Sequence, residues 1–222
     1  MSYQIKKANL NHSFIFFLFC NFLSLIIYKF KSFDISPLIC LFLILTVGVS
    51  HGSLDHEKGK KLFKILNIRS ISIFYLSYIF LAILVISVWI IIPSISLIIF
   101  LVVASYHFGK EDTQFLVNEV SFLNQSLFFF KGLMIILAPM FFKFDETVSI
   151  FKLILVDNEI FYSTLAFIEA NKILPILIIL STLSSIYLFL IKFNIKNLTI
   201  FLDYFSILII NYFFSPLVAF TF

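Results

Sequence analysis

Long apolar runs separated by short polar segments fill most of the chain. The run at residues 71–92 contains no charged residue, the runs at 173–191 and 197–222 are comparable, and the run at 122–142 contains Lys131. An α-helix needs about 20 apolar residues to cross a hydrocarbon core of about 30 Å. The pattern therefore predicts membrane-spanning helices at these four places.

Four other runs fit a membrane-spanning helix less well. Residues 13–28, 35–50 and 94–109 are each somewhat shorter than a full span. The run at 147–168 is interrupted by charged residues, so it suits a short span, a re-entrant segment or an interfacial amphipathic helix. The predicted fold is an all-α, polytopic transmembrane bundle of seven to eight helices that forms a single domain over the whole chain.

Composition supports a membrane protein and argues against a soluble one. The chain is 61% hydrophobic and only 13% charged, whereas about a quarter of the residues of a soluble domain are charged. The net charge of +4 comes from basic residues in short segments between apolar runs, which indicates membrane topology rather than binding to nucleic acid. Cys20 and Cys40 lie inside apolar runs, so we expect buried, reduced thiols.

Basic residues in the short loops predict the orientation. Five Lys and Arg residues lie between positions 58 and 69, after the second apolar run. Lys6 and Lys7 precede the first run, two crossings away and therefore on the same side. Because short loops rich in Lys and Arg stay in the cytoplasm, both segments are predicted to be cytoplasmic in a multi-pass protein of the cell (inner) membrane.

Two histidines occupy equivalent places, at the C-terminal ends of the second and fourth runs. His51 lies in "SHGSLDHE" and His107 in "SYHFGKED", and each is followed by a glycine and then by a carboxylate, Asp55 or Asp112. In the predicted topology both helix ends reach the same membrane face. Imidazole binds Zn, Cu, Fe and Ni, and a carboxylate commonly accepts the second N–H of the ring. The alternative is that each histidine is an interfacial anchor or a helix cap.

Two further polar residues are candidates for the same site. His56 follows His51 by five positions, which is about 140° away on a continuous helix, so the two are not expected to bind one metal from a single regular helix. Asp203 lies inside an apolar run, where a carboxylate needs a partner. We expect Asp203 to be either a hydrogen-bond acceptor around the metal site or a partner of Lys131.

Several segments together resemble a known family. "HGSLDH" at 51–56, "YHFGKED" at 106–112, "KGLMIILAP" at 131–139 and "SPLVAFTF" at 215–222 are similar to segments of the bacterial membrane-bound β-carotene 15,15'-dioxygenases. The first two, in this order and spacing, are the most specific, and the resemblance extends over most of the chain from about residue 40.

The resemblance implies a function, a cofactor and ligand roles. It implies cleavage of β-carotene by O2 at the central double bond, with Fe(2+) as cofactor and two molecules of retinal as product. It assigns His51 and His107 as iron ligands and His56 to the outer shell of the site, and a further pair of histidines in the family would lie just beyond Phe222. Since no histidine follows His107, we expect a chain that is C-terminally incomplete relative to the family, and its activity stays open.

Two other functions remain in view. Another histidine-metal membrane oxygenase, such as a desaturase or hydroxylase, would generally show several HxxH or HxxxH boxes, and the sequence has none. A non-enzymatic transporter or structural membrane protein would instead depend on Lys131 and Asp203. The expected partners are β-carotene, O2 and the lipid bilayer, and the pattern predicts no oligomeric state.

Overall fold

A computed structural model describes the backbone of residues 3–30, 36–52, 55–66, 68, 70–113, 121–155, 159–191 and 195–221. These residues form eleven α-helices and a short 3-10 helix, and no strand occurs among them. The helices are α1 (Tyr3–Phe30), α2 (Pro37–Gly52), α3 (Asp55–Ile65), α4 (Ile71–Ile91), α5 (Pro93–Thr113), α6 (Phe122–Phe142), α7 (Phe144–Ile154), α8 (Glu159–Ala170), α9 (Ile173–Ile191), α10 (Thr199–Phe213) and α11 (Pro216–Ala219), and the 3-10 helix is Ile195–Leu198. The all-α prediction is confirmed for this part of the chain.

Five of the described helices are long and apolar enough to cross a membrane, over Lys7–Lys29, Ser72–Ile91, Pro93–Glu111, Phe122–Phe142 and Ile173–Leu190. The predicted count of seven to eight spans is therefore not confirmed. The run at 197–222 is not one helix, because α10 ends at Phe213 after 15 residues and Pro216 begins α11. Helix α2 is likewise short, with 16 residues.

Most of the apolar surface of the spans faces outward. In the membrane-spanning part of α4 no residue is buried inside the protein. Its described side chains are exposed along nearly the whole helix, and the half-buried exceptions are Phe74, which packs against α3, and Trp89, which packs against α5. A helix that is apolar all round and unburied in the protein is at home in lipid, so this exposure agrees with a membrane location.

Helix α6 lies in the middle of the bundle and packs against α5, α9 and α10. Helices α5 and α6 are antiparallel, since Leu97 packs beside Leu137 at one end and Gly109 meets Gly132 at the other. Helices α6 and α9 are also antiparallel, because Leu137 and Leu174 share one cluster while Phe128 and Leu188 share another. The chain therefore enters α9 at the end where it leaves α6.

The antiparallel direction of α6 and α9 shows whether the run at 147–168, which lies between them, crosses the membrane. It forms two short helices, α7 and α8, which meet through the rings of Phe151 and Phe161 with centroids 6.3 Å apart. Neither helix is long enough to cross the hydrocarbon core, and the chain returns to its starting end. Of the three interpretations left open, the span is excluded, because α7 and α8 pack over the end of the bundle near Leu97.

The two ends of the bundle differ in the residues that they carry. The proline end is where α4 finishes and α5 begins at Pro93, and it is covered by α7 and α8. The histidine end is where α5 finishes after His107 and α6 begins. On the other side of α6, Cys20 and Cys40 are buried and free in a cluster formed by α1, α2, α10 and α11, as predicted.

Candidate functional site

His107 lies in the last part of α5, at the histidine end, and its side chain is 66% exposed. Its Nε2 atom is 3.2 Å from Oε2 of Glu111, one helical turn further along α5. A ring that donates its Nε2 proton to Glu111 keeps the Nδ1 lone pair free for a ligand. The contact with Glu111 therefore orients an accessible imidazole, as a metal site requires.

The ring of His107 points away from α6. The face of α5 that packs against α6 carries Ser105, Gly109 and Thr113, spaced four residues apart and all buried. His107 lies two residues before Gly109, which is about 160° around the helix. The side chain is consequently directed towards the side of α5 that faces α4.

His56 lies on α3 and is held by the first turns of α4. Its Nδ1 atom is hydrogen-bonded to the hydroxyl of Tyr75, and the two rings stack with centroids 5.6 Å apart and an interplanar angle of 13°. Gly59 is buried against the ring of Phe74, so α3 packs closely on the start of α4. Because α4 and α5 are joined by a tight connection at Pro93, the start of α4 is at the same end as His107.

His51 and Asp55 are located through their backbone. His51 is in the last turn of α2 and Asp55 is the first residue of α3, so both lie within five residues of His56 along the chain. Their side chains, and that of Asp112, lie outside the described residues. Helix directions thus bring His51, His56 and His107 to one end of the bundle, while direct contact between His51 and His107 stays a prediction.

Asp203 lies in a different part of the bundle. It is half-buried on α10, and its neighbours Ile200 and Tyr204 pack against α6 within three residues of Lys131. Lys131 is itself buried, with 4% of its surface exposed, and neither charged side chain is without a partner. This position agrees with the expected partnership with Lys131, and a role for Asp203 around the metal stays a prediction.

An apolar groove of about 600 Å³ runs along the outside of the bundle between α6 and α9. Its walls include Leu127 and Phe130 of α6 and Leu183 and Tyr187 of α9. Phe130 is about 160° around α6 from Gly132, the residue that meets α5. The groove therefore opens on the side of α6 away from His107.

The donors at the histidine end suit iron in type. Imidazole and carboxylate groups are both ligands that iron accepts, and His107 is open to the surroundings. Within the described residues, no three His, Cys, Asp or Glu side chains form a group that could hold a metal ion. The chemistry of His107 fits iron, and iron binding stays a prediction.

Two contacts at this end were not predicted from the sequence. Glu111, four residues after His107, is the carboxylate in contact with the ring, whereas the predicted carboxylate was Asp112, five residues after it. The i,i+4 rule for helices would have identified Glu111. His56 and Tyr75 are 19 residues apart and lie on two different helices, so no local sequence pattern predicts their contact.

The fold defines an all-helical class in which five of the described helices are long and apolar enough to cross a membrane, with the exposed His107 at one end of the bundle. Residues 42–222 match the family model described as beta-carotene 15,15'-dioxygenase. The chain belongs to this family. Neither the curated proteins nor the solved structures include a significant match to it.

Proposed function

We propose that this protein catalyses the iron-dependent oxidative cleavage of β-carotene at its central 15,15' double bond, giving two molecules of all-trans-retinal. The observation that carries the proposal is the family match over residues 42–222, which includes every candidate ligand named here. The reaction balances as one alkene and one O2 giving two aldehydes, with one oxygen atom in each. The match also weighs against a transporter, a desaturase or a hydroxylase.

In this proposal His51 and His107 hold Fe(2+). Bound iron would supply the redox chemistry that lets O2 react with an alkene. Glu111 fixes the orientation of the His107 ring, as its 3.2 Å contact indicates. His56, Asp55, Asp112 and Asp203 are proposed to act outside the ligand set.

The bilayer supplies the substrate. β-Carotene has no polar group, so it reaches the protein through the hydrocarbon core, and its position must be set by the shape of an apolar surface. The exposed apolar helices on both sides of the Pro93 turn, α4 and α5, present such a surface beside His107. Residues on these helices would exclude water from the double bond.

The proposed location is the cell (inner) membrane, with the histidine end in the cytoplasm. The basic α3 packs at this end, and short loops rich in Lys and Arg stay in the cytoplasm. We also propose seven crossings, by the five long spans together with α2 and α10, since the alternating directions of α5, α6 and α9 require α7 and α8 not to cross.

The test is retinal formation in bacterial cells that produce β-carotene. Cells expressing the chain should lose carotene and accumulate retinal in a 1:2 ratio, measured by chromatography, and the purified protein should contain iron. His107→Ala should abolish retinal and lower iron, whereas His12→Ala, which changes another exposed histidine, should change neither. Absence of retinal despite accumulation of the chain in the membrane would reject the proposal, and products of unequal length would reject central cleavage.

A further inference from the structure

Helices α5 and α6 approach each other most closely at two glycines. A Cβ atom on Gly109 would overlap the carbonyl oxygen of Phe128 and lie 2.8 Å from the backbone nitrogen of Gly132. A Cβ atom on Gly132 would overlap the carbonyl oxygen of Ser105 and lie 2.5 Å from the backbone nitrogen of Gly109. The obstructing atoms are all backbone, so no side-chain movement can make room for a methyl group.

The crossing is reciprocal and has no side chain between the two backbones. Each glycine presents a Cα hydrogen to a carbonyl oxygen of the other helix, an arrangement that adds weak Cα–H···O attraction. Ser105 and Thr113, on the same face of α5, turn their hydroxyls back to carbonyl oxygens of their own helix, Ser105 to Leu101 at 2.8 Å and Thr113 to Gly109. The contacting face of α5 is therefore flat over two turns.

This crossing determines where His107 stands. His107 is two residues before Gly109 on the same rigid helix, and the adjacent Tyr106 is hydrogen-bonded to Gln125 of α6. The depth and rotation of α5 relative to α6 thus decide the position of the His107 ring. Within the "HFG" segment, Gly109, which packs against α6, is therefore only two positions from His107, the candidate ligand.

We propose that Gly109 and Gly132 are positioning residues for His107: their backbone crossing sets the depth and rotation at which that imidazole is presented to the metal. The inference rests on the proposed function, in which His107 binds iron. An ordinary Cβ contact is about 3.4 Å long, so an alanine at either position requires the two backbones to separate by about 1.5 Å. Metal sites tolerate only about 0.2 Å in ligand distance, and displacements of about 1 Å are enough to cost about 100-fold in rate.

The test compares Gly109→Ala and Gly132→Ala with Val103→Ile in purified full-length protein. The control also adds one carbon, but at a position that is 59% exposed on α5. Three quantities are measured: the thermal unfolding midpoint, the anaerobic affinity for Fe(2+) per folded chain, and kcat and KM for carotene. We expect both alanine variants to lose at least about tenfold in iron affinity and to lower kcat with little change in KM, while Val103→Ile keeps the wild-type iron affinity and unfolding midpoint.

A purely structural role would lower the unfolding midpoint and leave iron affinity per folded chain unchanged, and this result would overturn the inference. An equal loss in Val103→Ile would also overturn it. If the alanine variants do not accumulate, Ser105→Thr adds one methyl group to the same buried face and should show a smaller loss of the same kind; wild-type affinity there would reject the inference. A wild-type chain that binds no iron and forms no retinal would instead defeat the proposed function.

Discussion

Glu111 offers the sharpest test of how His107 is held. Removing its carboxylate with Glu111→Ala deletes the acceptor for the ring nitrogen but keeps a good helix-forming residue. Glu111→Gln keeps an acceptor oxygen without the charge. If the contact orients the ring for iron, the affinity for Fe(2+) should fall most for the alanine variant and less for the glutamine variant.

The size of this effect follows from the exposure of the pair. The side chains of His107 and Glu111 are 66% and 56% exposed, and such a contact contributes no more than an exposed ion pair, which is worth about 0.2–1 kcal/mol. Since a tenfold change corresponds to about 1.4 kcal/mol, the expected loss for Glu111→Ala is at most about fivefold. A buried carboxylate that orients a metal-bound histidine would cost about 10- to 100-fold instead.

The assay is an anaerobic Fe(2+) titration of purified protein, with Asp112→Asn as the matched control. The control removes a charge from the adjacent position on the same helix, and we expect it to change affinity less than Glu111→Ala. A loss far above tenfold for Glu111→Ala would show that Glu111 is itself a ligand. Unchanged affinity for Glu111→Ala, together with a loss for Asp112→Asn, would refute the assignment of Glu111.

Three further predictions concern the bundle. Met134→Ala, at a fully buried position of α6, should lower the free energy of unfolding measured by denaturant titration by about 1–2 kcal/mol. In lipid the hydrophobic transfer part of the usual cost is lost, and the part due to the cavity remains. Leu76→Ala, at an exposed position, should leave the free energy of unfolding unchanged. Lys131→Asp and Asp203→Lys should each lower the unfolding midpoint, and the double swap should restore part of the loss; no recovery would contradict their pairing. A nitroxide at position 153, where Leu153 is 87% exposed on α7, should be accessible to oxygen dissolved in lipid; accessibility to aqueous reagents alone would contradict contact of α7 with the membrane.

The apolar runs determined most of the secondary structure directly. The run at 71–92 became α4 almost residue for residue, and the run at 122–142 became α6 with the same bounds. Such agreement is expected where about 20 apolar residues must satisfy every backbone hydrogen bond within one segment. The agreement fails at 197–222, where the apolar run continues through a helix break just before Pro216. Hydropathy alone does not detect such a break.

Long-range packing decided the topology at 147–168. Three interpretations were open because the run is both apolar and interrupted by charge. The antiparallel packing of α6 against α9, seen in the pairs Leu137 with Leu174 and Phe128 with Leu188, left only the non-spanning interpretations. Contacts between residues so far apart in sequence leave no periodic signal in either helix.

The sequence by itself predicted a helical membrane protein, placed His51 and His107 at the ends of two apolar runs, and showed a resemblance to the carotene dioxygenases. These properties depend on composition, on run length and on short motifs, all of which are local. The contact between Glu111 and His107 is also local, but only the tertiary structure showed that Tyr75 holds His56 and that Gly109 and Gly132 bring two backbones together. The last two contacts depend on which faces of separate helices meet, and that is decided by packing across the whole bundle.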